Sequence, residues 1–404
     1  MSRIILHCDC NSFFASVETV LNPSYRGVPM AVCGSEEDRH GIVLAKNMLA
    51  AAYGIKTADT VYKAKKLCPN LVIAKPHYAA YSEFSKRVND IYRDYTDIIE
   101  PFGIDESWLD VTASINLFGS KEFIAEEIRR RVKEEVGITV SIGVSFNKIF
   151  AKLGSDYKKP DAITYIGEDN FKDIVFSLPA GDLLFVGEHT ETELKAFGIR
   201  TIGDLASMDR ELLVRKFGKL GEMLYIYSNG LDSSPVVTPS DNECKSLGNG
   251  FTFKRDILKR EEYLTAIEYL CEELGFKLRN SNRLCTGVSV TVKDEFLKSI
   301  QRQRKIDTAT DVARDISRCA FALLCDNWPD GKPIRTLTVT VYGLVNKAQY
   351  REQIDIFAEE KSLIHAKDKK REETIDKIRQ KYGGNSIVRG SVLGSDIGIY
   401  KENE

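Results

Sequence analysis

The order of hydrophobic and polar residues in the first 160 positions alternates between two periods. Short apolar runs such as IILHCD (4–9) predict β-strands, whereas a period near 3.6 residues in SFFASVETVL (12–21) and in 78–96 predicts helices. The stretch DIIEPFGIDESWLDVT (97–112) predicts two strands with a tight connection near Asp105. This alternation predicts an α+β sheet with helices on one of its faces.

The pattern changes twice further along the chain. Helical, glycine-punctuated sequence continues from about 170 to 232, and SSPVVTPSDNE (233–243) then predicts a linker because of its prolines and turn formers. Strand and helix patterns alternate again over 246–348, as is typical of a separate α+β domain. The end of the chain holds QIDIF (353–357) and a charge-rich helical segment.

Composition narrows the class of protein without deciding its function. A chain of 404 residues with 43% hydrophobic and 29% charged residues predicts two to four globular domains. No stretch approaches the roughly 20 apolar residues that span a bilayer, and no signal-peptide pattern opens the chain. We therefore expect a cytoplasmic protein without a membrane partner. The net charge of −2 gives no global signal for nucleic acid, so basic surfaces must be sought locally.

The nine cysteines show no spacing typical of a disulfide framework or a zinc site, and no CxxC occurs. We expect them to be reduced and to act as small apolar residues. In an extended strand, Cys8 and Cys10 would share one face, opposite to Asp9. The sequence thus argues against a metal–thiolate site.

Carboxylates occur in two apolar settings that predict neighbouring strands. Asp9 ends the first strand, where a buried charge is costly unless it is paired or bound to a cation. Taken alone, Asp105 and Glu106 are more typical of a solvated turn. Acids at two strand ends of one core would repel one another unless a cation intervened. Oxygen ligands without histidine or cysteine indicate Mg²⁺ or Mn²⁺, and two such ions indicate phosphoryl or nucleotidyl transfer.

Two further segments are candidates for phosphate binding. The helix that opens at Ser12, with Asn11 or Ser12 as its cap, would present backbone N–H groups beside Asp9. Lys158 and Lys159 are the strongest candidates for cationic contacts, although a solvated surface pair is the ordinary interpretation of such a dipeptide.

Together these segments resemble the Y-family DNA polymerases, the lesion-bypass class, and most closely their bacterial polymerase IV-like branch. The resemblance covers nearly the whole chain in the family's order. It rests on DCNSFFASVE (9–18), NPSYRGVPMAVCG (22–34), YAAYSEFS (78–85), GIDESWLDVT (103–112) and SIGVSFNKIFAKLGSDYKKPDAI (141–163).

The resemblance implies an α+β multidomain fold of the right-hand polymerase type. It has a ferredoxin-like palm, small fingers, a helical thumb with a helix-hairpin-helix, and an α+β little finger. The implied boundaries are 1–19 and 77–168 for the palm, 20–76 for the fingers, 169–232 for the thumb, 233–245 for a linker, 246–350 for the little finger and 351–404 for a tail with a clamp-binding peptide and a charged helix.

The resemblance also implies the catalytic chemistry. Asp9, Asp105 and Glu106 would be catalytic and would bind two Mg²⁺ ions, or Mn²⁺, with help from the backbone carbonyl of Cys10. Phe14 falls at the steric gate that rejects a ribose 2′-hydroxyl, for which the structural alternative is a core aromatic. The remaining implied substrate contacts, to the incoming dNTP, come from Ser12, Phe13 and Lys159.

The implied DNA and clamp contacts lie after residue 180. GDLLFVGEHTETELKAFGIRTIGDLA (181–206) resembles the thumb hairpin, although Phe185 stands at the usual first glycine and leaves Gly187 as the hairpin glycine. If KSIQRQRK (298–305) forms a strand, alternate residues would face the phosphates of the DNA backbone. The alternative interpretation is an exposed basic edge that protects the sheet against pairing with other strands. The implied contacts there are Lys298, Arg302 and Arg304. QIDIF resembles the peptide with which bacterial polymerases bind the sliding clamp, through Gln353, Ile354, Ile356 and Phe357.

One departure keeps other functions open. Many relatives hold the triphosphate with a Tyr and an Arg in the fingers, where this chain has Met48 and Ala51. The main hypothesis is a monomeric translesion DNA polymerase acting on primer–template DNA with dNTPs. The rivals are a nucleotide cyclase or related palm-fold transferase, and a DNA- and clamp-binding scaffold with a degenerate site.

Overall fold

The computed structural model describes residues 3–35, 41–238, 244–351, 359–393 and 395–399. Many of its strands coincide with the predicted apolar runs. The strands are β1 (Ile5–Cys10), β2 (Met30–Cys33), β3 (Val43–Lys46), β4 (Val72–Ala74), β5 (Ile99–Pro101), β6 (Glu106–Asp110), β7 (Val140–Ser145), β8 (Ile163–Ile166), β9 (Ser246–Ile257), β10 (Arg283–Lys293), β11 (Ser299–Thr310), β12 (Ile334–Tyr342) and β13 (Val345–Asn346). Of these, β1, β2 and β7 are buried along their whole length.

The helices coincide with the segments of helical period, and several begin at a residue whose side chain caps the first turn, such as Asn147 and Thr201. They are α1 (Phe13–Leu21), α2 (Met48–Ala51), α3 (Val61–Leu67), α4 (Tyr78–Arg93), α5 (Ile115–Phe118), α6 (Lys121–Arg131), α7 (Lys148–Tyr157), α8 (Phe171–Val175), α9 (Glu188–Ala196), α10 (Ile202–Ala206), α11 (Arg210–Phe217), α12 (Lys219–Ser228), α13 (Arg260–Asn280), α14 (Ala313–Asn327) and α15 (Glu359–Tyr382).

The chain divides into two compact units, residues 1–34 with 42–242 and residues 35–41 with 243–404. None of the helices within the described ranges is long and apolar enough to cross a membrane. The finer boundaries between palm, fingers and thumb stay predictions.

The central sheet of the first unit has the order β5-β6-β1-β7-β8. All neighbours are antiparallel except β7 and β8, which run parallel. Helices α1, α4 and α6 cover one face, where Leu6, Cys8 and Cys10 lie in the core. The predicted placement of helices on a single face was wrong, because α7 packs on the other face against Ile5 and Trp108.

Two smaller layers complete the first unit. A sheet of order β3-β2-β4 is backed by α2 and α3 around a core that includes Val43 and Ala64. Helices α8 to α12 enclose a separate core, to which α7 contributes Ile149, Phe150 and Leu153. Helix α7 is therefore shared between the central sheet and this helical layer, which fixes its position tightly.

The second unit is a sheet of order β11-β10-β12-β9 with α13 and α14 on one face. Part of the predicted tail belongs to this core, since Val392, Ile397 and Ile399 are almost fully buried in it. Helix α15 lies against α13 and α14 through buried ion pairs. Arg279 Nη1 is 2.6 Å from Glu372 and its Nε is 2.5 Å from Asp376.

Candidate active site

The acidic residues of the central sheet gather where β1 and β6 lie side by side. Asp9 pairs in register with Glu106, so both side chains leave the same face of the sheet, the face that α7 covers. Asp105 lies in the bend between β5 and β6, and its backbone carbonyl accepts a hydrogen bond from the Cys10 N–H at 3.0 Å. The predicted need for a bend at the Asp105–Glu106 pair is met, with Glu106 as the first residue of β6.

The predicted role of the cysteines in β1 agrees with their surroundings. Cys8 and Cys10 point away from Asp9 and are buried under α1 and α4. Burial raises the pKa of both thiols well above their ordinary value, so they remain protonated. They serve the packing of the sheet.

Two lysines face the acidic cluster. Lys159, just past the end of α7, places its Nζ 2.6 Å from Asp9 Oδ2 and 2.7 Å from Asp156 Oδ1. Lys152, within α7, places its Nζ 2.7 Å from Glu106 Oε2. Among the residues that the structure describes, no three acidic, histidine or cysteine side chains converge as a ready-made cation cage. The ammonium groups instead occupy positions against these carboxylates.

The lysines do not fully compensate the buried charge. Burial raises the pKa of Asp9 to about 7 even though Lys159 opposes the shift. Burial also raises the pKa of Asp105, and the negative charge of Glu106 adds to this. Burial acts in the same direction on Glu106, but the close approach of His7 and the hydrogen bond from Lys152 outweigh it and lower its pKa to about 2. Clustered oxygen ligands with uncompensated negative charge fit divalent cations.

The start of α1 lies beside this cluster, but it is not capped as predicted. Ser12 occupies the N-cap position in the left-handed region, with φ 46°, and its side chain makes no capping hydrogen bond. The Asn11 side chain turns to the neighbouring strand and loop, where it bonds to Ser141 at 2.8 Å and to the Asp161 N–H at 2.9 Å. The first amides of α1 are thus left without a side-chain cap from either residue.

The two aromatic residues at this helix start have different surroundings. Phe13 is 2% exposed and packs in the core, so its side chain is structural and only its backbone could reach a substrate. Phe14 is half-buried and stacks on Tyr81 of α4, with ring centroids 4.1 Å apart and planes 10° from parallel. The Phe14 ring therefore has one neighbour that supports it and remains partly accessible to solvent.

Three family profiles match this chain. Residues 8–156 match the impB/mucB/samB family, residues 181–232 the thumb domain of DNA polymerase iota, and residues 244–356 the impB/mucB/samB C-terminal domain. The chain belongs to the Y-family DNA polymerases.

Similar proteins agree with this family. The chain is 44% identical to a DNA polymerase IV of Acetivibrio thermocellus, over 97% of this chain and 98% of that one. It is 35% identical to DNA polymerase IV 1 of Bacillus subtilis, over 97% and 94%. A solved Y-family DNA polymerase chimera, Dbh-Dpo4(243-245)-Dbh, superposes with a TM-score of 0.74 and 25% identity over 85% of this chain and 99% of the chimera.

These comparisons confirm the predicted family, the right-hand architecture and the class of enzyme, a DNA-directed DNA polymerase. Y-family polymerases use divalent metal ions. Residues able to hold them here are Asp9, Asp105 and Glu106, on the geometry and charge described above.

Sequence analysis missed two residues that lie against the acidic cluster, one on α7 and one on β1. Lys152 contacts Glu106, and the His7 ring, fully buried, lies with Nε2 3.4 Å from Glu106 Oε2 and Nδ1 2.8 Å from Ser155 Oγ. The alternation of β1 puts His7 on the face of Asp9, and the four-residue spacing of Lys148 and Lys152 puts both lysines on one side of α7. These two periods are the signals that could have identified them.

The predicted departure from many relatives, at Met48 and Ala51, lies in the fingers of this Y-family polymerase. Met48 and Ala51 are both in the short helix α2, and Met48 is 58% exposed. Lys46 at the end of β3 has its Nζ 3.5 Å from Thr57 Oγ1, so it is directed within the fingers.

The predicted thumb contact is at the start of a helix. Gly187 is the N-cap of α9, and its Cα has open space around it. Phe185 adopts a left-handed conformation, φ 70°, with its ring more than half exposed. The hairpin thus exists with a phenylalanine in place of its first glycine.

The basic strand of the little finger has an orientation that the sequence did not reveal. Arg302 and Arg304 share a face, as predicted, but they pair with Val290 and Val288, whose side chains enter the core under α13 and α14. Arg304 accordingly reaches Asp326 of α14 at 3.0 Å. The open face of this edge strand carries the other alternate set, Gln301, Gln303 and Lys305. Lys298 lies in the exposed turn before β11. The predicted clamp residues 353–357 lie outside the described residues.

Proposed function

We propose that this chain performs template-directed, low-fidelity translesion synthesis, adding dNTPs to a primer 3′ end. The observation that carries the proposal is the buried acidic cluster beside an uncapped helix start. Such a site combines cation ligands with phosphate-binding amides in one place.

Asp9, Asp105 and Glu106, with the Cys10 backbone carbonyl, are the ligands that we assign to two Mg²⁺ ions, for which Mn²⁺ could substitute. Bound there, the ions would activate the primer 3′-oxygen and stabilise charge on the departing pyrophosphate. Burial supports this assignment, since the raised pKa of Asp9 shows a charge that Lys159 alone does not compensate.

The chain's own groups would bind and select the nucleotide. The α1 amides from Ser12 and Phe13 and the Lys159 ammonium would hold the triphosphate, with Lys159 turning from Asp9 to the phosphates. The Phe14 ring would lie under the sugar and exclude a 2′-hydroxyl. Lys46 is the cation nearest in sequence to the missing finger residues and could replace part of their contact.

Primer–template DNA would be bound through the Gly187 amide in the thumb and basic residues of β11. The orientation of β11 adds Lys305 on the open face to Lys298, Arg302 and Arg304 at the edge. The peptide at 353–357 would bind a sliding clamp. We assign the enzyme to the cytoplasm as a monomer.

Primer extension on primed DNA with dNTPs and Mg²⁺ tests the function. Wild-type protein should extend the primer, and Asp105→Asn should lower the rate by about a hundredfold or more, as loss of one electrostatic stabiliser does. Asp97→Asn, an exposed acid of the same unit, should match wild type. Wild-type protein that binds primed DNA but extends no better than Asp105→Asn would favour the scaffold function that Met48 and Ala51 suggest.

A further inference from the structure

A buried carboxylate lies one helical turn beyond the proposed gate. Glu18 is 2% exposed, on the same helix as Phe14 and four residues further on. A buried carboxylate is costly unless several donors reach it. Here those donors come from the start of α4, whose first turn packs against α1.

The donors to Glu18 are specific. The Tyr81 hydroxyl donates to Glu18 Oε1 at 2.5 Å, and His77 Nδ1 lies 2.9 Å from both carboxylate oxygens. The His77 backbone N–H donates to Oε1 at 3.3 Å. Glu18 thereby also caps α4, because His77 is the N-cap residue of that helix and makes no side-chain cap of its own.

Tyr81 connects this carboxylate to the gate. Its fully buried ring is the surface on which Phe14 stacks, so the position of the Phe14 ring depends on the position of the Tyr81 ring. The hydrogen bond from the Tyr81 hydroxyl to Glu18 restrains rotation of that side chain about its Cα–Cβ bond, in addition to packing. Phe14 contacts Tyr81, and Tyr81 contacts Glu18, so this series of contacts begins and ends on α1.

We propose that Glu18 is a positioning residue for sugar selection, which holds the Tyr81 hydroxyl and thereby fixes the Phe14 ring against a ribose 2′-hydroxyl. This inference rests on the proposed role of Phe14 as the steric gate. A purely structural Glu18, acting only as a cap for α4, would affect stability without changing the choice between dNTP and rNTP.

The test measures kcat/KM for a dNTP and for the matching rNTP in primer extension by the full chain. Tyr81→Phe keeps the stacked ring and removes the hydroxyl, so it should lower dNTP/rNTP discrimination about fivefold, the factor of one hydrogen bond. Glu18→Ala should have a similar effect, whereas Glu18→Gln keeps an acceptor oxygen and should restore most of the discrimination. The double variant Glu18→Ala/Tyr81→Phe should be no worse than the larger single effect.

Two controls separate this inference from the gate itself. Tyr78→Phe makes the same change in a 58% exposed ring that meets Phe14 edge-on at 6.2 Å, and it should leave discrimination unchanged. Phe14→Ala should lower discrimination much further than Tyr81→Phe. If Phe14→Ala does so while Tyr81→Phe and Glu18→Ala retain wild-type discrimination, the inference is overturned and the gate stands. If Phe14→Ala leaves discrimination unchanged, the gate assignment fails and the inference fails with it.

Discussion

At the scale of single residues, Asp9 shows how a proposed metal ligand can oppose the stability of the fold that holds it. It occupies a strand whose other members are buried and mostly apolar, and it is 6% exposed. Its pKa, raised to about 7, means that folding favours the protonated form over the carboxylate. Without a bound cation, the ionised side chain therefore lowers stability.

The sign of this effect predicts the behaviour of Asp9→Asn. Because the folded-state pKa lies above the unfolded one, the stability of metal-free wild type should fall as pH rises from about 4 to about 7. At pH 8, Asp9→Asn should consequently unfold at a higher urea concentration than wild type. Its free energy of unfolding should be higher by roughly 1–3 kcal/mol, and this difference should vanish near pH 4. Primer extension should be lost.

The matched control is Asp97→Asn on the exposed surface, which should leave the urea midpoint unchanged at both pH values. A wild type that is more stable than Asp9→Asn at pH 8 would mean that the Lys159 ion pair outweighs burial, contrary to the assigned cause.

The residues of the site were predictable to different degrees. Asp9 and the Asp105–Glu106 pair could be found because acids in apolar runs are rare and need a partner. His7 looked like an ordinary strand residue, and Lys152 looked like one helical lysine among many. Their roles depend on which strand pairs with β1 and where α7 lies, and no local pattern contains that information.

At the scale of elements, α7 determines how the site is assembled. Its helical period was predictable, but the face of the sheet on which it packs was not, because α7 is buried on two sides, by the sheet and by the thumb helices. Gly143 of β7 permits the close approach. A Cβ there would lie 1.8 Å from the Ala151 carbonyl oxygen and 2.5 Å from the Ser155 N–H nitrogen.

Gly143→Ala should therefore push α7 away from β7. We expect a loss of about 2 kcal/mol or more in the free energy of unfolding, measured by urea denaturation, because both clashing atoms belong to the helix backbone. Primer extension should fall as well, since α7 carries Lys152 and leads into Lys159. Gly390→Ala, where the added methyl meets open space, should change neither quantity. Wild-type stability in Gly143→Ala would show that the two elements can separate at little cost.

At the scale of the whole molecule, chemistry and clamp binding are assigned to different parts of the chain. The first unit holds the acidic cluster, and the candidate clamp peptide lies between β13 and α15 of the second. The architecture followed from the order of motifs along the sequence. The burial of Val392, Ile397 and Ile399 did not, because scattered apolar residues among glycines and charges show no period.

Replacement of Gln353, Ile354, Ile356 and Phe357 by alanine should separate the two functions. Binding to the sliding clamp, measured by surface plasmon resonance, should weaken at least about a hundredfold, because a few anchoring side chains contribute most of the binding free energy of such an interface. Extension in the absence of the clamp should equal that of wild type. Arg351→Ala, next to the peptide, is the control, and undiminished clamp binding by the alanine variant would refute the assignment.

The two lysines that face the acidic cluster would compete with a cation for the proposed ligands. Lys152 and Lys159 form ion pairs with Glu106 and Asp9 and offset part of their charge, so they reduce the repulsion between these carboxylates. At the ligands that we propose, an arriving ion would have to displace an ammonium group, so its net affinity would be weaker than that of a carboxylate cage without lysines. The same groups can return as the ion departs. Such a site would favour reversible loading over tight retention, which would suit an enzyme that must release pyrophosphate in every cycle.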